Sequence, residues 1–185
     1  SDTLVAHDDI DTLSVDEIIE AKIIDAVRKA HVEAPYYMLD SGNNFGDAVY
    51  WEGNAGWTFI PGDFLRLAVF KMADWERAVY GAISTDDPQY ELQRSRIKGV
   101  RGCPQKPVCA IVMRPEGRAL EFYSCKTDNV EVEQAVYIPE PKIDEDDGIM
   151  ICKRCYDAVV YQIAGLTLVT FGNAQGAQTF FELYK

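Results

Sequence analysis

Apolar residues recur at three- and four-residue steps between Ser14 and His31: Val15, Ile18, Ile19, Ile23, Ala26, Val27 and Ala30. Glu20, Asp25 and Arg28 fall off that stripe, so the pattern predicts an amphipathic helix over Ser14–His31. Ser14 and Glu17 fit a capping box, in which the hydroxyl accepts a free backbone N–H and the Glu side chain reaches back. Pro35 then stops or turns the chain.

The middle of the chain changes period. Val49–Glu52 and Trp57–Ile60 flank Gly53-Asn54-Ala55-Gly56, which reads as a hairpin turn. Phe64–Met72 is apolar on both faces, the signature of a buried strand. Pro107–Met113 and Gly117–Cys125 flank a second turn at Arg114-Pro115-Glu116-Gly117. Val130, Val132, Val136 and Ile138 alternate with Glu131, Glu133 and Tyr137, as in a sheet with one wet face. Between these strands Thr85–Pro104 is polar and basic, with a short helix predicted near Pro88–Arg94 and an extended loop after it.

Helical patterning returns near the end. After Pro139–Asp147, a long apolar helix is predicted from Met150 to Phe171, capped by Asp147 or Gly148 and ended by Gly172. A last helix, Ala174–Tyr184, places Ala177, Phe180, Phe181 and Tyr184 on one side. Neither terminal helix can bury its apolar face alone, so the two ends are expected to pack together. The fold class is therefore α+β: a helical bundle from the N- and C-terminal helices with an inserted antiparallel β domain. The parts are 1–35, 36–140 and 141–185, with the basic loop inside the second.

Charge narrows the function. The 185 residues carry 30 acids against 18 bases, a net charge of −12, with a pI near 4.5. A protein whose main task is gripping a phosphate backbone needs a basic face, so that class is disfavoured. The acids cluster in Asp2–Glu20 and in Asp144-Glu145-Asp146-Asp147; capping and solubility are the plain reading of both, and a surface that must not stick to nucleic acid is the sharper one. The longest apolar stretch, Tyr156–Phe171, is too short and too interrupted to span a bilayer, and Ser1-Asp2-Thr3-Leu4 lacks the features of a signal peptide.

Candidate chemistry is sparse. The only histidines are His7 and His31, and His31 ends the first helix, where the dipole favours a cation. The five cysteines suit reduced thiols. Cys152-Lys153-Arg154-Cys155 has the spacing of a zinc or redox pair. Zinc wants a second such pair, and Cys103 and Cys109 are separated by five residues, wider than a knuckle. The acidic run 144–147 lacks EF-hand spacing, and no phosphate-binding glycine motif is present. No catalytic residue, cofactor or metal is assigned. The basic loop is the exception: Arg94, Arg96, Lys98, Arg101 and Lys106 concentrate positive charge in an acidic chain, which suits an interface with a neighbouring subunit. Tyr36, Tyr37, Trp51, Trp57, Trp75 and Tyr90 fall near turns or strand ends, where some could anchor a partner.

Several runs carry a family resemblance. Phe59-Ile60-Pro61-Gly62-Asp63-Phe64-Leu65-Arg66-Leu67, followed by Trp75-Glu76-Arg77-Ala78-Val79, resembles a run of tailed-phage head–tail connector proteins, the adaptors that sit as a ring below the portal. Pro104–Ala110 and Leu120-Glu121-Phe122-Tyr123 are similar to the matching β segment. The helix bearing Ala158, Ala164 and Leu168, with Ala174–Tyr184, resembles the closing helices. Within that family the chain is most similar to the ring proteins of crAss-like podophages, over most of its length after Ile10. The resemblance implies a helical bundle with a β insertion and a homo-oligomeric ring. It also implies contact with the portal and other tail proteins, and a place in the virion after assembly in the host cytoplasm. Genomic DNA would pass through the lumen without specific binding, and no enzyme activity or membrane contact is implied. Two other readings compete: a bacterial antiparallel-sheet binding module recognising a protein or carbohydrate through Trp51, Trp57 and Trp75, and a zinc or redox protein using Cys152 and Cys155.

Overall fold

The computed structural model describes residues 15–53, 55–97, 99–144, 146 and 148–185. The capping-box residue Ser14, His7 and most of the first acidic cluster lie outside that set, as do Lys98, Glu145 and Asp147. The protein is α+β, with helices at both ends of the chain and strands between them. Helix α1 spans Val15–Glu33. The strands are β1 (Asn43–Asn44), β2 (Tyr50–Glu52), β3 (Ala55–Phe59), β4 (Phe64–Met72), β5 (Cys109–Arg114), β6 (Gly117–Phe122), β7 (Val132–Pro139), β8 (Ile143–Asp144) and β9 (Gly148–Ile149). Helix α2 covers Pro88–Leu92, and α3 (Tyr156–Thr170) and α4 (Ala174–Tyr184) close the chain.

All named strands pair antiparallel, in the orders β1-β7-β4, β2-β3-β6-β5 and β8-β9. The three-stranded sheet lies between two apolar layers. One face of β4 and β7 gives Phe64, Leu67, Phe70, Met72, Ala135 and Tyr137 to a core shared with Leu120 and Phe122 of the four-stranded sheet. The other face gives Leu65, Ala68 and Ile138 to a core shared with Ala26, Val27 and Ala30 of α1 and Val159 of α3. That is why β4 is apolar on both sides. Its pairing with β7 slips between Phe64 and Arg66, between Leu67 and Val69, and between Lys71 and Met72. Each irregularity re-aims the following side chain, so Phe64, Leu67 and Phe70, three residues apart, reach the same core.

Helices α1 and α3 therefore share one face of the three-stranded sheet, and the sheet contributes to the helical core as well as to its own. Lys29 Nζ donates to Gln162 Oε1 at 3.5 Å, while His31 meets Cys152, so the two helices run antiparallel. Helix α4 returns along α3 through a close approach at Gly165, where a Cβ would lie 2.4 Å from the Phe181 ring. Tyr184 Oη then donates to Glu33 at 2.7 Å, tying α4 to the end of α1.

The structure departs from the sequence pattern around residue 145. No helix follows the acidic run directly: Asp144 of β8 pairs with Gly148 of β9, and α3 starts six residues later than Met150, at Tyr156, after a 3-10 turn over Lys153–Cys155. Pro139 and Pro141 cannot donate into a helix, and Asp144 accepts the N–H of Asp146 at 2.9 Å within its own turn. The start of α3 is fixed from far along the chain. The Cys152 N–H donates to His31 Nε2 at 3.1 Å, and the Lys153 N–H to Asp40 Oδ1 at 3.0 Å.

His31 is the second departure. It is only 1% exposed, and burial pushes its imidazole below the ordinary range, so it is not the cation expected at the end of α1. Arg66 of β4 takes that place. Its guanidinium donates to the carbonyls of His31 and Val32, each at 3.1 Å, and to that of Ala34. A fixed positive charge thus satisfies the carbonyls that the last helical turn leaves open.

Candidate assembly interface

The outer face of the four-stranded sheet buries Ala110, Val112 and Ala119 beneath Trp57, Phe59, Ile83 and Tyr90. Tyr90 belongs to α2, so α2 and the basic loop that follows lie on the side of the molecule opposite α1, α3 and α4. Asp87 caps α2 by accepting the Gln89 N–H at 2.8 Å, and Pro88 fills its first turn, which places the local start signals correctly.

The five expected interface cations have different fates. Arg94 leans over the Tyr90 ring and lies 3.4 Å from Glu91, an exposed pair worth little in water. Arg96 is exposed and makes no ion pair among the described residues. Lys98 lies outside them. Arg101 is half-buried and lines a cleft of about 390 Å³ together with Gly102, Cys103, Tyr123 and Lys126. Lys106 is exposed at the end of a tight turn in which Cys103 and Lys106 exchange backbone hydrogen bonds of 3.2 and 2.9 Å. The loop also exposes apolar side chains, Leu92, Val100 and Ile97, the last 66% exposed.

The loop is anchored on its own domain. Gln93 is buried, donates to the Gln89 carbonyl at 2.9 Å and accepts the Gly102 N–H at 2.7 Å. Ser124, also buried, accepts the Val108 N–H at 3.0 Å. A Cβ at residue 102 would lie 2.4 Å from Ser124 Oγ, so only glycine lets the backbone come this close. These contacts hold both ends of the loop on its own domain. The glycine and the two polar side chains were visible as residues, but their meeting was not.

The opposite side has another character. From Ala158 to Phe181 the chain has no Asp, Glu, Lys or Arg. Helix α3 is apolar all round, yet only Val159, Gln162 and Gly165 are fully buried in it. Tyr156, Val160, Val169, Phe171 and Leu183 remain exposed, Phe171 at 63%. A helix apolar on every side is normally buried on every side.

The tryptophans do not form one recognition surface. Trp75 is buried edge-on against Phe70 and Phe122, and Trp51 packs edge-on to Phe122. Trp57 lies under the Arg114 guanidinium at 3.6 Å and stacks beside Tyr50. Tyr36, Tyr37 and Tyr80 reach solvent, with Tyr36 stacked on Tyr80 at 4.2 Å.

All five thiols are free. Cys152 and Cys155 are buried in the helical core and Cys109 in the sheet core. Burial raises the pKa of Cys109 and Cys155, and burial together with Asp74 pushes Cys125 up to about 12. Among the described residues no three His, Cys, Asp or Glu side chains are grouped to hold a metal ion. No described helix is long and apolar enough to cross a membrane. No protein-family model, curated protein or solved structure matches the chain.

Proposed function

We propose that this chain is a structural virion protein that forms a homo-oligomeric ring between the portal and tail of a tailed phage, surrounding a passage for DNA. The observation that carries the reading is the pair of unlike surfaces on opposite sides of the subunit. One is the α3–α4 hairpin, free of charged residues from Ala158 to Phe181; the other is α2 and its basic loop, with exposed Leu92, Ile97 and Val100. A closed ring joins each subunit to the next through two different patches, whereas a two-fold dimer needs only one. In this reading α1, α3 and α4 form the bundle that makes the body of the ring, and the sheets are its insertion. The basic loop reaches an acidic surface of an adjacent subunit or the portal. The net charge of −12 lets a DNA duplex slide through the lumen without counterion-release binding. No enzymatic step is assigned.

Mass photometry of the purified chain, alone and mixed with the portal protein, tests this directly. A discrete multimer is expected, either alone or on the portal. A chain that stays monomeric in both samples at micromolar concentration is not a ring protein.

A further inference from the structure

One buried imidazole bridges the end of α1 and the segment that leads into α3. Nε2 of His31 accepts the Cys152 N–H at 3.1 Å. The ring hydrogen therefore sits on Nδ1, which is buried and has no partner among the described residues. Around the ring the groups are committed elsewhere. The Arg66 guanidinium of β4 caps the carbonyls of His31, Val32 and Ala34. Asp40, before β1, accepts from Lys153, and the Cys152 thiol lies 3.4 Å from Ser41 Oγ. Glu33 of α1 is taken by Tyr184 of α4, Lys29 leans on the Tyr184 ring, and Arg154 donates to the Tyr37 carbonyl. Cys155 is a buried thiol. None of these contacts supplies His31 with an acceptor for a second proton.

We propose that His31 is an acid-sensitive latch: its neutral ring holds the start of α3 to the end of α1, and protonation opens that junction while the sheet core stays closed. The donor count compels the direction. A protonated ring has N–H on both nitrogens, so Nε2 can no longer accept from Cys152, and two donors face each other in a buried site. A charge would also be buried near a fixed guanidinium. The sheet core contains no histidine, so it has no matching sensitivity.

The sign follows from linkage. The closed junction holds the imidazole below its ordinary value of 6.5, while the open junction restores that value. The closed form is therefore fully favoured above about pH 6.5 and loses ground as the pH falls toward the lowered value, by up to about tenfold per pH unit. The latch does not depend on ring assembly and holds in an isolated subunit.

The cysteines report on it. Cys152 and Cys155 lie in the helical core, whereas Cys109 lies in the sheet core and serves as an internal reference. The chain is labelled with 4,4′-dithiodipyridine, which reacts with thiols in acid, at about pH 7.5 and about pH 5, values that bracket imidazole titration. Peptide mass spectrometry then gives the labelling rate of Cys152 and Cys155 relative to Cys109. In the wild type that ratio should rise between about threefold and about thirtyfold at the lower pH. In His31→Gln, whose side-chain oxygen can accept from Cys152 but does not titrate, it should stay flat. The latch is refuted by a wild-type ratio that does not change, by a variant that follows the wild type, or by Cys109 becoming reactive in step, which would be global acid unfolding. The wild-type ratio decides by itself if the variant does not fold.

Discussion

The α3–α4 side of the molecule has no charged residue from Ala158 to Phe181, whereas the α2 side gathers Arg94, Arg96, Arg101 and Lys106. The two sides also hold their shape differently. The hairpin is held by packing, with Gly165 letting the Phe181 ring approach the α3 backbone. The loop is held by hydrogen bonds, with Gln93 and Ser124 accepting the N–H groups of Gly102 and Val108. Contacts made by the first surface should be nearly indifferent to salt, and contacts made by the second should weaken with it. In a head-to-tail ring a subunit with both turns one face to each neighbour, so every joint combines an apolar and a charged contribution.

The largest effect should come from forcing the hairpin apart. Gly165→Leu places a side chain where the Phe181 ring already lies. It should destabilise the protein by about 3 kcal/mol, lowering the melting temperature by about 10 °C. A melt unchanged from wild type would mean that α4 packs elsewhere.

A smaller loss should follow from cutting the loop anchor. Gln93→Leu keeps the volume but leaves the Gly102 N–H buried without its acceptor. The cost should be about 2 kcal/mol, and limited proteolysis should then cut between Arg94 and Lys106. If the loop stays resistant, Ser124 alone is enough to hold it.

The smallest effect on stability, and the one that separates the two surfaces, should come from changing their charges. Val160→Lys with Phe171→Lys on one side, or Arg94→Glu, Arg96→Glu and Arg101→Glu on the other, changes residues that are exposed or half-buried. Each set should shift stability by about 0.5 kcal/mol or less. Both should reduce the multimer seen by mass photometry, but only the second should flatten its dependence on salt. Equal assembly by either variant would remove that surface from the contacts.

Much of the fold could be read where the pattern is local and long. The predicted bounds of β4 and α4 are the observed ones, and the apolar stripe of α1 supplies Ala26, Val27 and Ala30 to the core. The errors fall where a remote group decides. Two-residue strands such as β8 and β9 have no periodicity to read, so an acidic turn looked like a helix cap. The start of α3 depends on Asp40 and His31, more than 110 residues upstream. The end of α1 depends on Arg66, which in sequence is only one cation inside an apolar strand. The candidate interface was legible as charge, while the anchoring of its loop was not, because Gln93, Gly102 and Ser124 carry no local signal.

The placement of β4 between two cores has a consequence for synthesis on the ribosome. The strand emerges early, but its hydrogen-bonding partner β7 follows about 60 residues later, and α3, which completes the helical core, later still. Until Ile138 and Val159 have left the exit tunnel, α1 and both faces of β4 have no finished surface to bury themselves in. The sheet core waits for Ala135 and Tyr137 of β7, and the helical core waits further, for Val159 of α3. Such non-local pairing slows folding and leaves apolar strand exposed in the meantime. The chain should therefore need chaperone protection until α3 has been translated.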